Sequence, residues 1–180
     1  SFSAHKFHGP KGVGGLVIRK RDGISLPIKP LMYGGGQERG VRPGTLPVAL
    51  IAGMAKSLEI SIKNQDKWDS ECKEIKSMAL DAFKGIQYKV YGTTDQNTLP
   101  NTLSIAFADL DAEAVILMLK EHAEISTGSA CTSDSYTPSH VISSMGASRD
   151  EAQRVVRFSW GKETNPDVFK SIATLLQPLL

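Results

Sequence analysis

The chain has 180 residues, enough for one substantial hydrophobic core or for two small lobes. With 41% apolar and 22% charged residues it has the composition of an ordinary globular protein, and it contains no run of 18 apolar residues that would span a bilayer. A formal charge of +2 gives no reason to expect direct contact with nucleic acid, and two cysteines are too few for a disulfide framework or an all-cysteine metal site.

The opening residues Ser1-Phe2-Ser3-Ala4-His5-Lys6 lack the apolar stretch of a secretory signal, so a cytosolic or organelle-interior setting is expected. Gly9-Pro10-Lys11-Gly12 follows, and residues 13–19 read as a short strand. So dense a functional signal at the very start leads to the expectation that upstream residues of the same fold are missing from this chain. Arg19-Lys20-Arg21, with Lys11 and Lys29 nearby, reads as a solvated turn or as a docking patch for an acidic partner. Residues 26–45 carry Pro27, Pro30, Gly34, Gly35, Gly36, Gly40, Pro43 and Gly44, which suits irregular backbone.

A helical period follows over 47–63, with Leu50, Met54, Leu58 and Ile62 along one face. A second helix is expected over 67–83, where Trp68, Cys72, Ile75, Ala79 and Phe83 recur and Gly85 stands just past the end. Strands are expected at 88–91 and 102–107, a helix at 111–122, and a short strand at 125–126 leading to Gly128-Ser129-Ala130-Cys131. A short helix over 139–145 follows; Ser148 to Glu151 has loosely the form of a capping box, and a strand at 155–160 precedes a last helix at 166–179. This alternation predicts a compact α+β lobe with helices on one sheet face, its boundary lying between residues 63 and 85.

Four residues or segments invite chemistry. Lys6 lies between His5 and His8; a neutral lysine amine can condense with an aldehyde, and nearby positive charge helps deprotonate it. On a strand, Ser3 and His5 would face away from Lys6, whereas a tight bend would let all three converge on one ligand. A surface lysine beside structural histidines is the plainer reading. Cys131, set among Ser126, Thr127, Gly128, Ser129, Thr132 and Ser133, is either a mobile reactive thiol or an inert one. Cys72, in the apolar period of a predicted helix, is a core residue. Arg157 interrupts an apolar strand, and its planar fork either grips a carboxylate or faces outward. The segment Gly34 to Thr45 would bring backbone and hydroxyls near an anion, but it is neither a Walker A sequence nor a dinucleotide fingerprint. His122 and His140 call for no more than helix-end or solvated roles.

Ser3-Ala4-His5-Lys6 with Gly9-Pro10-Lys11-Gly12, the glycine-rich segment through Thr45, the Cys131 segment and Val156-Arg157-Phe158-Ser159 together resemble the pyridoxal-phosphate-dependent cysteine desulfurases. The resemblance spans nearly the whole chain. It implies an α/β enzyme of fold type I, with residues 1–64 ending the large cofactor-binding domain and residues 65–180 forming a small α+β C-terminal domain. It further implies a homodimer acting on L-cysteine. Lys6 would bind the aldehyde of pyridoxal 5'-phosphate and move protons; Ser3 and His5 would hold the phosphate on their own subunit, and Thr45 would reach it across the dimer. Arg157 would anchor the carboxylate of substrate cysteine.

Cys131 would attack the substrate's sulfur, leaving alanine and an enzyme-bound persulfide. Gly128 to Ser133 is similar to the subgroup feeding iron–sulfur cluster assembly and thiolation, so a scaffold or other sulfur-acceptor protein is an implied partner. A selenocysteine lyase-like enzyme, or a non-catalytic scaffold fragment, is the alternative. Two features depart from the pattern. The family's ring-stacking histidine and ring-nitrogen aspartate have no counterpart in these residues, and Pro43 stands where serine is common.

Overall fold

The computed structural model describes residues 1–20, 22–23, 28–93, 97–127 and 139–179. The chain divides into two compact units, Ser1–Gln65 and Asp66–Leu180.

The first unit begins with a two-residue strand, β1 (Phe2–Ser3), paired antiparallel with β2 (Gly14–Gly15). A 3-10 turn, Ala4–Phe7, follows β1, and the Ala4 N–H donates to the Val13 carbonyl at 3.0 Å. The strand expected over 13–19 shrinks to two residues because β1 offers a ladder no longer than that. Leu16, Val17 and Ile18 beyond it are exposed. A turn over Gln37–Gly40, with Glu38 and Arg39 in the left-handed region, interrupts the irregular glycine-rich segment.

The two helices expected around residue 65 are one 35-residue helix, α1 (Val48–Ala82). The polar run Lys63-Asn64-Gln65-Asp66 looked like a break, yet it contains no proline or glycine. Asn64 bonds back to the Ile60 carbonyl at 2.8 Å without leaving the helix. Residues 48–65 of α1 belong to the first unit and residues 66–82 to the second.

The second unit is built on a three-stranded antiparallel sheet in the order β3 (Tyr88–Tyr91), β4 (Thr102–Phe107), β5 (Val155–Ser159). Alternation along the strands sends Val90, Leu103, Ile105, Phe107, Val156 and Phe158 to one face. There they meet the C-terminal part of α1, α2 (Ala112–Leu119) and α5 (Asp167–Leu176) in the main core. Phe83 stands at its centre, with Phe107, Phe158, Phe169 and Tyr88 rings 5.4–6.3 Å away. Cys72 is buried in this core, where burial first, then Glu71 and Asp69, push its thiol pKa up.

The opposite face is covered too. Tyr91, Ala106 and Val155 pack against Ile142 and Ala152 of α3 (His140–Ser144) and α4 (Arg149–Arg154). Helices therefore lie on both faces, not one: the small, scattered apolar residues of this second layer carry too faint a period to show in the sequence. Asp111 caps α2, and Ser148 with Glu151 forms a complete capping box at the start of α4.

Candidate functional site

In the first unit, Lys6 rides on a tight turn. Ser3 is the N-cap residue of that turn and its hydroxyl makes no capping bond; His8 closes it at φ 65°. The bend, not the extended alternative, is thus the local conformation: Ala4 is fully buried, while His5 and Lys6 are exposed. Among the described residues Lys6 belongs to no ion pair, so its amine is not committed to a carboxylate.

The turn is seated on α1 by small residues. A Cβ on Gly9 would lie 2.6 Å from the Ser57 hydroxyl oxygen and 2.9 Å from the Ala4 carbonyl oxygen, so glycine is required there. Ser61 donates to the Phe7 carbonyl at 3.3 Å, and a Cβ on Gly53 would meet Pro10 at 3.2 Å. Gly53, Ser57 and Ser61, four residues apart, form the packing stripe. The apolar face read from the sequence misses it, since Leu58 and Ile62 are exposed whereas Ser57 is buried, its hydroxyl donating to the Met54 carbonyl. Repetition of small residues every fourth position was the available signal.

The glycine-rich segment forms a closed loop in which the Gly44 N–H donates to Gln37 Oε1 at 3.1 Å. Thr45, exposed, leaves that loop three residues before the start of α1. Gln37 was missed, though a lone amide side chain among Gly34, Gly35, Gly36, Gly40 and Gly44 is a visible oddity.

In the second unit, Arg157 occupies β5 opposite Ser104 of β4. On its other side it forms an isolated bridge with Ser126: the Arg157 N–H donates to the Ser126 carbonyl at 2.6 Å and the Ser126 N–H to the Arg157 carbonyl at 3.2 Å. Its Nε is buried and has no hydrogen-bond acceptor among the described residues, which a charged donor tolerates poorly without an anion. Cys131 lies outside the described residues, as do its neighbours 128–138. His122 and His140 are exposed at the ends of α2 and α3.

The class-V aminotransferase family model matches residues 1–167. This chain belongs to that family. Class-V aminotransferases depend on pyridoxal phosphate. The chain is 41% identical over 166 residues to the cysteine desulfurase IscS of Rickettsia bellii, covering 91% of this chain and 40% of that protein. Against the enzyme of the same name from Vibrio campbellii, the identity is 37% over 164 residues, covering 91% and 40%. The chain thus spans about 40% of the length of the curated relatives it matches.

Among solved structures, a NifS-like protein superposes with a TM-score of 0.79 at 29% identity, over 98% of this chain and 44% of that one. DndA from Streptomyces lividans gives 0.71 at 38%, over 88% and 45%. SspA in complex with cysteine gives 0.63 at 30%, over 91% and 44%. The architecture is accordingly α/β, a part of the fold-type-I design of pyridoxal-phosphate enzymes. Among the described residues no helix is long and apolar enough to cross a membrane.

The class-V residues fit such a cofactor. An amine outside any described ion pair, a hydroxyl not spent on capping and an exposed imidazole share one short turn. The amine suits an aldehyde, and the hydroxyl and imidazole suit a phosphate.

Proposed function

We propose that this class-V chain carries the lysine and thiol part of a cysteine desulfurase, which converts L-cysteine to L-alanine and leaves a persulfide on Cys131. The similarity to cysteine desulfurases over 91% of the chain carries the reading. The buried Nε of Arg157, without an acceptor among the described residues, supports it, since a substrate carboxylate is the anion such a donor lacks.

Bound at Lys6, pyridoxal phosphate would supply an electron sink for the pair left when the substrate's carbon–sulfur bond breaks. Lys6 would carry the aldehyde link and afterwards hold and return a proton at the substrate carbon. Ser3 and His5 would hold the phosphate, with Thr45 reaching it from the other subunit of a homodimer. Arg157 would fix the carboxylate so that the substrate sulfur faces the thiol. The Cys131 thiolate would attack that sulfur: one S–S bond forms, one C–S bond breaks, and alanine departs after protonation. The persulfide would then pass to an acceptor protein for iron–sulfur cluster assembly or nucleic-acid thiolation, in the cytoplasm or an organelle matrix.

Under this reading residues 1–64 complete a large cofactor-binding domain and residues 65–180 form the small domain. Polypeptide outside these residues would contribute the ring-stacking histidine and the ring-nitrogen aspartate. The test is sulfur trapping after L-cysteine is added to the cofactor-loaded assembly. Cys131→Ser should keep the lysine-dependent visible absorption and lose labelled sulfur, whereas Lys6→Ala should lose the absorption. Normal sulfur transfer by Cys131→Ser would show that the nucleophile is misassigned.

A further inference from the structure

The loop between Gly34 and Thr45 is held shut by one side chain. Gln37 Oε1 accepts the Gly44 N–H, seven residues along the chain. A Cβ on Gly35 would lie 2.5 Å from Gln37 Oε1 and 3.0 Å from Nε2, so the amide packs directly over Gly35. On the loop's other side Gly34 faces Pro43, 3.3 Å from where its Cβ would be, and Pro43 is buried although its neighbours are exposed or half-buried. Inside the ring Glu38 and Arg39 take φ values of 50° and 58°. Non-glycine residues occupy that left-handed region at an energetic cost and stay there only when the surroundings hold them. Gly44 itself sits at φ 111°. The orientation of its peptide is therefore set by this local closure, and the next residue is Thr45.

We propose that Gln37 is a positioning residue: by holding the Gly44 N–H, its amide oxygen sets how Thr45 leaves the loop, and so places the Thr45 hydroxyl for the cofactor's phosphate. The proposal rests on the phosphate role proposed for Thr45. It adds the group that would make that role possible. Pro43 fits this picture, because a residue with fixed φ inside the ring narrows the conformations the closure has to select among.

The test uses the apo form of the cofactor-binding assembly, titrated in parallel with pyridoxal phosphate and with pyridoxal, which lacks the phosphate. Gln37→Ala should weaken pyridoxal phosphate binding about five- to tenfold, the worth of one hydrogen bond, and leave pyridoxal binding unchanged. Gln37→Glu keeps an acceptor oxygen and should restore the affinity. Thr45→Ala should weaken the phosphate ligand by itself, and adding Gln37→Ala to it should weaken binding no further. Amide exchange at Gly44 in the apo protein should quicken in Gln37→Ala and not in Gln37→Glu.

Equal weakening of both ligands would overturn the proposal, as would full additivity with Thr45→Ala. Should Thr45→Ala leave affinity untouched, the Thr45 role fails and takes the proposal with it; quickened Gly44 exchange would then mark a closure serving the loop alone. If Gln37→Ala does not fold, Gln37→Asn, one methylene shorter, is read by the same outcomes.

Discussion

Arg157 brings together three constraints within one residue. Its main-chain N–H and carbonyl both bond Ser126 through the bridge, it stands opposite Ser104 in the sheet, and its buried Nε lacks an acceptor among the described residues. A buried donor without a partner costs stability, whereas a shape-matched apolar residue avoids that cost. Arg157→Met should therefore leave the thermal midpoint unchanged or raise stability by up to about 1 kcal/mol. Under the proposed activity the same change should raise KM for L-cysteine at least about tenfold, as expected for loss of a charge-assisted hydrogen bond. A large fall in thermal midpoint would mean that the guanidinium is structural and finds its partner within the fold. The sequence pointed to this residue because a cation in an apolar strand is conspicuous. It could not show the Ser126 bridge, which joins residues far apart along the chain.

At the scale of single elements, α4 is held by a set of bonds that responds to pH. Glu151 accepts from the Ser148 N–H at 2.8 Å and from Lys89 at 2.6 Å, and these partners, Lys89 first, lower its pKa from 4.5 to about 2. A carboxylate with a depressed folded pKa contributes stability above its unfolded value and loses it as pH falls toward the folded one. Glu151→Gln should thus be less stable than the parent at neutral pH, with the gap closing between about pH 4.5 and pH 2 in acid-unfolding curves. A gap independent of pH would rule out the charge as its source.

The strands at 88–91 and 102–107 were fully legible, because large apolar side chains alternate with polar or small ones along Tyr88-Lys89-Val90 and Thr102–Phe107. In α1 the existence of helix was legible and its continuity was not. Polar residues at 63–66 are compatible with a helix or a loop, and only neighbours in space decide between them. The packing stripe Gly53, Ser57 and Ser61 was hidden for a related reason: a tight turn docks where side chains are small, while sequence reading looks for where they are apolar.

For the molecule as a whole, the asymmetry between the units is informative. The second unit has a continuous aromatic core around the fully buried Phe83, whereas the first exposes Leu31, Tyr33, Val17 and Val48. Phe83→Ala should cost about 3–5 kcal/mol, the range for deleting a buried aromatic ring, measured by denaturant unfolding followed by near-ultraviolet circular dichroism. A cost below about 1 kcal/mol would mean that the core collapses onto the gap and that the ring is not its keystone. The compact lobe was legible from its regular alternation of elements. The chemistry of the first unit was legible only as motifs, because its residues form few regular elements and its contacts are made largely by backbone and small side chains.

Cys72, sealed inside the second unit with its thiol pKa raised, simplifies the bookkeeping of sulfur. The chain has only two cysteines, so gentle alkylation of the native protein leaves Cys72 silent until the fold is opened. Within residues 1–180 each added sulfur atom can then be assigned by subtraction, and Cys72 doubles as an internal indicator that the sample has stayed folded throughout turnover.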